Sequence, residues 1–170
     1  QRWESANFTH NIVELKQLET IEGENGRFYK TPQGELYPSI TTVLGVQDNT
    51  SLLEWKNRVG IEEAEKISKR ATNRGNRVHK LFEDYLNNKQ SEVDMFDMEA
   101  FMKGSKILKH HVNNVRVQEG GLYSHYLKCG GRVDLIAEFD GKLSIIDFKT
   151  STRHKEKKYI ENYFLQTAAY

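Results

Sequence analysis

The sequence predicts a mixed α/β or α+β fold in one domain, and three observations favour it. Apolar residues recur at helical spacing through residues 51–58, 61–88 and 94–114. From residue 115 the pattern changes to the alternation typical of strands, and a helical pattern returns from about residue 157 to the end. The order of helices, three strands and a helix is typical of these classes, and 170 residues can bury one core.

The first predicted element is a hairpin region over residues 20–37. Its turn signals are Asn25-Gly26 and Pro32-Gln33-Gly34, which supply residues that favour tight turns. Ser39 or Thr41 then offers a hydroxyl as the N-cap of a short helix. We divide the single domain into an N-terminal hairpin region (1–38), a helical region (39–114) and a segment of sheet and closing helix (115–170).

The sequence leaves the number of helices open, whereas turn residues bound each predicted strand. Residues 61–88 predict one or two helices, because Gly75 is a possible break. The three strands are expected within residues 115–129, 131–140 and 142–150, each bounded by turn residues.

Composition narrows the class of protein. The chain is 37% hydrophobic and 29% charged, and no apolar run approaches the ~20 residues that a membrane span needs. The single Cys129 excludes an internal disulfide and a zinc site built from several cysteines. No signal or transit segment is visible at the start of the chain. We therefore expect an intracellular, cytoplasmic protein with no membrane association, of phage or bacterial origin in preference to organellar.

The distribution of basic residues is more informative than the net charge of +1. Residues 66–80 contain six Lys or Arg and no acid, and residues 149–158 contain five Lys or Arg and one Glu. Two such segments can follow a phosphate backbone. They are equally compatible with two solvated helix or loop surfaces.

One turn brings two aspartates together. Asp140-Gly141 lies between two alternating runs, and this dipeptide is a strong hairpin signal because both residues of a type I′ turn need positive φ. If these two residues are the whole loop, the register places Asp134 directly opposite Asp147. Opposed residues share a sheet face with Cβ atoms ~5 Å apart. Lys149, two residues beyond Asp147, points to the same face.

These three charges are expected on a surface that is at least partly buried, because Ile136, Leu143 and Ile145 share their face. Two carboxylates held this close favour a shared proton or a bound divalent cation, since unpaired buried charge is costly. Carboxylate oxygens suit a hard cation such as Mg²⁺ or Mn²⁺. The alternative is a trio of surface charges on an edge strand.

The chemistry that fits this arrangement is metal-dependent hydrolysis of a phosphodiester. A hard cation can polarise the phosphodiester and lower the pKa of a bound water. A lysine beside it can orient that water or stabilise the charge that develops on the phosphate.

Asp134, followed thirteen residues later by the "DFK" of Asp147 and Lys149, resembles the PD-(D/E)XK nuclease superfamily. Val133 replaces the proline that usually precedes the first acid. Three further features are similar to the RecB-type branch of that superfamily. They are the G-x-x-x-H pattern ending at His79, Glu119 before the first core strand, and the Q-x-x-x-Y pattern of Gln166 and Tyr170. "YPSITTVL" and "LLEWK" are similar to the exonucleases that maintain mitochondrial genomes and to their phage and bacterial relatives.

The resemblance implies a restriction-endonuclease-like core, a central mixed sheet flanked by helices and preceded by a helical region. It also implies roles for individual residues. The catalytic residues would be Asp134, Asp147 and Lys149, and the metal ligands His79, Asp134, Asp147 and the backbone carbonyl of Phe148. Glu119 would assist the metal or hold a basic neighbour. Gln166 and Tyr170 would contact the substrate or brace the site, and Thr150 and Ser151 are further candidates for substrate contact, although Ser151 is as well placed to cap the last helix.

The resemblance favours a Mg²⁺- or Mn²⁺-dependent deoxyribonuclease, with exonuclease action on DNA that is single-stranded or has free ends. In that family at least one strand follows the Q-x-x-x-Y helix, whereas this chain ends at Tyr170, so we expect a C-terminally truncated domain. Three alternatives stay open: a structure-specific endonuclease of the same fold, a non-catalytic nucleic-acid-binding or assembly module, and a Mg²⁺-binding protein with no nucleic-acid role.

Overall fold

The computed structural model describes residues 5–45, 50–151 and 160–170, and it confirms the predicted fold class. Helices and two three-stranded antiparallel sheets alternate along the chain. The elements in chain order are β1 (Glu19–Gly23), β2 (Gly26–Lys30), β3 (Leu36–Pro38), α1 (Ile40–Gly45), α2 (Thr50–Val59), α3 (Ile61–Leu86), α4 (Met95–His111), β4 (Val112–Ser124), β5 (Cys129–Phe139), β6 (Lys142–Ile146) and α5 (Glu161–Ala169). The expected start of the last helix at residue 157 lies outside the described residues.

The expected hairpin region forms the first sheet, in the order β1-β2-β3. Gly26, which begins β2, has a φ of 109°, a conformation that a residue with a Cβ atom rarely adopts. Ser39 caps α1 as expected, because its hydroxyl accepts a hydrogen bond of 3.0 Å from the backbone N–H of Thr42.

The long helix α3 runs without interruption from Ile61 to Leu86, so the break considered at Gly75 is wrong. A Cβ atom at Gly75 would lie 3.5 Å from the hydroxyl of Thr150. The glycine therefore marks the place where the chain after β6 passes close to α3. Tertiary packing outweighs the helix propensity lost at one glycine, which is about 1 kcal/mol relative to alanine.

The second sheet has the order β4-β5-β6 and is the centre of the fold. Residues 9–13 add a short parallel segment beside β4, where Asn11 N–H donates to the carbonyl of Val115 at 2.9 Å. The β4–β5 register shifts once, between Asn113 and Val117. The named strands of this sheet are all antiparallel, and its parallel contact with residues 9–13 is limited to one bridge among the described residues.

The predicted type I′ turn is confirmed. Asp140 has a φ of 50° and Gly141 a φ of 77°, and the flanking residues pair as expected. The β5–β6 ladder continues in that register to the pair of Leu135 and Ile146 and ends there. The register therefore points Asp134 and Asp147 toward each other as the next pair, just where the chain leaves the sheet.

Helices α3 and α4 cover one face of the β4-β5-β6 sheet and bury its apolar residues. Phe82 of α3 lies between Phe101 of α4, with ring centroids 5.9 Å apart, and Phe148, at 4.8 Å. This contact joins the core to the segment after β6, which carries the candidate catalytic residues. The buried cluster comprises Phe8, Val78, Phe82, Tyr85, Leu86, Phe101, Leu108, Val112, Val115, Leu135 and Ala137.

Within the described part of the chain, no helix has the length and apolar character needed to cross a membrane.

Candidate active site

Asp134 lies in the middle of β5, and its side chain is 10% exposed. One carboxylate oxygen accepts a hydrogen bond of 2.6 Å from the backbone N–H of Phe148. The other lies 3.6 Å from Nδ1 of His79. Burial raises the pKa of the Asp134 carboxyl, and the nearby charge of Asp147 adds to that effect, while the hydrogen bond from Phe148 opposes it. The site therefore holds negative charge that the protein compensates only in part.

Asp147 follows the last residue of β6, and its side chain is 6% exposed. Its carboxylate forms an ion pair of 2.5 Å with the ammonium of Lys149. Gln166 of α5 donates to the other oxygen at 3.4 Å. Asp147 lies just beyond the end of the β5–β6 ladder. Its carboxylate therefore contacts Lys149, two residues further along the chain, and Gln166 of α5.

His79 and Phe148 meet across α3 and the segment after β6. Nε2 of His79 donates to the carbonyl oxygen of Phe148 at 2.8 Å. The two rings contact edge-on, with centroids 5.8 Å apart. The peptide group of Phe148 thus has its N–H on Asp134 and its carbonyl on His79, so it ties together two of the residues implied as metal ligands.

Glu119 lies on β4 opposite Asp134, because the pairs on either side of it are Gln118 with Leu135 and Gly120 with Val133. Its φ of 51° is unusual for a residue with a side chain. Burial and the charge of Asp134 raise the pKa of the Glu119 carboxyl, with Arg132 opposing them.

Gln166 and Tyr170 pack under the site from α5. The buried amide of Gln166 donates to the hydroxyl of Tyr170 at 2.8 Å, as well as to Asp147. Burial raises the pKa of Tyr170 to about 12. The ring of Tyr170 lies against Gly131, where a Cβ atom would be 2.2 Å from the ring. Gln166 and Tyr170 together support Asp147 from the α5 side of the site.

Thr150 and Ser151 continue the chain beyond Lys149. Thr150 contacts α3 at Gly75, and Ser151 is exposed. Most of the second basic segment, residues 152–158, lies outside the described residues.

The residues that the structure brings together fit a hard divalent cation. His79, Glu119 and Asp134 each offer one ligand atom, and these three atoms lie within 4.8 Å of one another. Two carboxylate oxygens and one imidazole nitrogen form a donor set that Mg²⁺ or Mn²⁺ accepts. Burial is the main cause of the raised pKa of both carboxyl groups, and each group also feels the charge of a neighbouring carboxylate. A bound cation would favour the charged form of both.

The sequence predicts no role for two residues that contact the site. Arg132, two residues before Asp134, places its Nε 2.9 Å from a carboxylate oxygen of Glu119. Tyr163 of α5 presents its ring to the ammonium of Lys149, with 5.3 Å between the nitrogen and the ring centroid. Residues two apart on a strand share a face, so the position of Arg132 beside Asp134 could have been predicted from the sequence.

A buried acid also fixes the helix that carries His79. Asp97 of α4 accepts hydrogen bonds of 2.7 and 3.2 Å from Arg77 of α3, and Nε of Arg74 lies 3.7 Å from it. These residues are distant in sequence, and no local pattern indicates their contact.

Comparison with known proteins finds a family and two relatives. Residues 93–170 match the model of the PD-(D/E)XK nuclease superfamily. The chain is 30% identical over 152 residues, or 81% of its length, to the human protein named mitochondrial genome maintenance exonuclease 1. It is 27% identical over 146 residues, or 78% of its length, to the mouse protein of the same name. The chain spans 44% of the human relative and 43% of the mouse relative, less than half of each.

Proposed function

We propose, from the match of residues 93–170 to the PD-(D/E)XK nuclease superfamily, that the protein is a Mg²⁺- or Mn²⁺-dependent deoxyribonuclease. One observation carries the proposal. Asp134, Asp147 and Lys149 converge at the point where β6 ends, with His79 joined to them through the peptide group of Phe148. Carboxylates that can hold a cation beside a positioned lysine support hydrolysis of a phosphodiester.

The cation would be held by His79, Glu119 and Asp134, whose ligand atoms lie within 4.8 Å of one another. Asp147 and the carbonyl of Phe148, which the resemblance implies as ligands, would complete its surroundings. When bound, it would supply Lewis acidity at the phosphodiester and lower the pKa of a water. The protein's own residues do the rest. The backbone N–H of Phe148 orients Asp134 through a hydrogen bond of 2.6 Å, and the amide of Gln166 contacts Asp147 at 3.4 Å.

Lys149 is the only one of these groups that brings positive charge to the reacting phosphate. Its ammonium is held between Asp147 and the ring of Tyr163, and its side chain is 35% exposed, so it is positioned and still accessible. A cation in that place orients a water or stabilises the charge that develops on the phosphate. Gln166 and Tyr170 would support this geometry, and Thr150 and Ser151 would contact the DNA strand.

Exonuclease action on single-stranded DNA or free ends is the favoured mode. Both relatives are named as exonucleases. The basic residues of 66–80 lie on α3, the same helix that presents His79, and Lys66, Lys69, Arg70 and Arg77 among them are exposed. A strand that follows these charges along α3 reaches the site at His79. The cytoplasmic setting expected from the sequence has an organellar alternative, since the relatives' names refer to the mitochondrial genome.

Digestion of end-labelled linear and circular single-stranded DNA tests the proposal. With Mg²⁺ or Mn²⁺ we expect loss of the linear substrate alone, and no loss in EDTA. Loss of both substrates at equal rates would favour the endonuclease. Binding of DNA without cleavage in any metal would favour a non-catalytic module.

A further inference from the structure

Arg132 lies at the candidate site, and its partner Glu119 engages only part of its guanidinium. It lies on the same strand and face as Asp134, two residues away. Its Nε is 2.9 Å from Oε2 of Glu119. A guanidinium has five N–H donors in a fixed fork. The side chain of Arg132 is 59% exposed, so most of that fork faces solvent.

The exposed side of Arg132 lines a cleft beside the candidate site. The cleft has a volume of about 150 Å³, and Gln17, Thr20 and Tyr29 contribute to its wall. Glu119 belongs both to the wall of this cleft and to the cluster of possible metal ligands with His79 and Asp134. The cleft therefore adjoins the proposed metal site through Glu119.

Glu119 is a partner that Arg132 can lose. The same carboxylate contributes to the group of ligand atoms that lie within 4.8 Å of one another on His79, Glu119 and Asp134. A divalent cation there would attract the charge of Glu119 more strongly than one partly exposed guanidinium does, since it carries twice the charge. Arg132 would then be left with its fork free at the wall of the cleft.

We propose that Arg132 binds a phosphate of the DNA strand. Without the cation, the ion pair with Glu119 competes with this contact, and binding of the cation to Glu119 releases Arg132. The planar fork of arginine matches the oxygens of a phosphate, and such hydrogen bonds are strong because both partners are charged. This inference rests on the proposed nuclease function and adds a substrate-binding residue to it.

DNA binding without metal gives the first test, measured by fluorescence anisotropy with a labelled single-stranded oligonucleotide in EDTA. Glu119→Gln releases Arg132 and is expected to raise the affinity about fivefold. In the Arg132→Gln background the same change is expected to have little effect. If Glu119→Gln raises the affinity equally in both backgrounds, it acts only by removing a negative charge, and the proposal is wrong.

The second test repeats the titration with Ca²⁺, a hard cation that takes oxygen ligands. Arg132→Gln is expected to weaken binding roughly tenfold, as for one charge-assisted contact, and to reduce the salt slope by about 0.7, the value for one phosphate on a single strand. Arg132→Lys keeps the charge without the fork and is expected to lose affinity by a smaller factor.

Arg27→Gln is the matched control, because Arg27 is an exposed arginine paired with an exposed glutamate, Glu22, on the first sheet. It is expected to bind DNA as the unmodified chain does. If Arg132→Gln binds like Arg27→Gln while the unmodified chain still cleaves DNA, this inference fails and the proposed function stands. If the unmodified chain neither binds nor cleaves DNA, both fail. Thermal melting of each variant verifies that it is folded.

Discussion

Removal of the Asp97 carboxylate is expected to loosen the pair of helices that positions His79. Asp97 lies in the first turn of α4 with a side chain that is 1% exposed, and it accepts two hydrogen bonds from Arg77 of α3. His79 follows Arg77 by two residues on the same helix. A shift of α3 at this contact therefore moves the imidazole relative to Asp134.

The size of the effect follows from burial. Removing one partner of a buried ion pair costs about 3–5 kcal/mol, because the remaining charge is left uncompensated. The Arg77 side chain is 53% exposed and can return to water, so the loss lies below that range. For Asp97→Ala we expect about 2–3 kcal/mol in the free energy of unfolding. With an m-value of about 2 kcal/mol/M, the urea midpoint falls by about 1–1.5 M.

Urea denaturation followed by circular dichroism measures this change, and Glu99→Gln is the matched control. Glu99 is also on α4, and its carboxylate is 2.6 Å from the ammonium of Lys103, but the two side chains are 79% and 75% exposed. An exposed pair contributes little, so we expect no measurable change in the midpoint. If Asp97→Ala unfolds at the same urea concentration as the unmodified chain, or if both variants lose equally, the argument from burial is refuted.

Three further outcomes follow from the packing and the charges. Gly104→Ala is expected to destabilise the chain by about 1–3 kcal/mol despite better helix propensity, because a Cβ atom there would lie 2.2 Å from the ring of Phe82, and a lower melting temperature would show it. In EDTA, Asp134→Asn is expected to be more stable than the unmodified chain at pH 7 and equal to it below about pH 4. Burial raises the pKa of Asp134 in the folded chain. The stability that this group contributes is therefore complete below its unfolded pKa and is lost as the pH rises through its folded pKa. Equal stability of Asp134→Asn and the unmodified chain at both pH values would contradict this. Mg²⁺ or Mn²⁺ at 100 times Kd is expected to raise the free energy of unfolding of the unmodified chain by about 2.7 kcal/mol. The melting temperature should rise accordingly in the unmodified chain and much less in Asp134→Asn.

The part of the site that depends on local chemistry was predictable from the sequence. The Asp140-Gly141 dipeptide specifies the turn, the turn specifies the register, and the register points Asp134 toward Asp147. Leu143, expected on the partly buried face, is 68% exposed, because the sheet is covered near the site and open near the turn.

The part that depends on distant contacts was not predictable from one sequence. Gly75 indicates a helix break when its neighbours are considered alone, yet α3 continues through it to Val78 and Phe82, which are buried in the core. The contacts of Asp97 with α3 and of Arg132 with Glu119 depend on how whole elements meet. Periodicity says nothing about such contacts, so the supporting residues emerge only with the fold.

The most direct test of the central claim is the single-turnover rate of DNA cleavage in Mn²⁺ for Asp147→Asn and Lys149→Gln, with Asp140→Asn as control. Asp140 belongs to the same hairpin, but it is 61% exposed at the turn, where it pairs with His111. We expect each site variant to lose about a hundredfold to a thousandfold in rate, and the control to cleave normally. Lys149→Gln removes a positive group that stabilises developing charge, and Asp147→Asn weakens the hold on the cation. Cleavage at the unmodified rate by a folded Asp147→Asn or Lys149→Gln would contradict the assignment of this site.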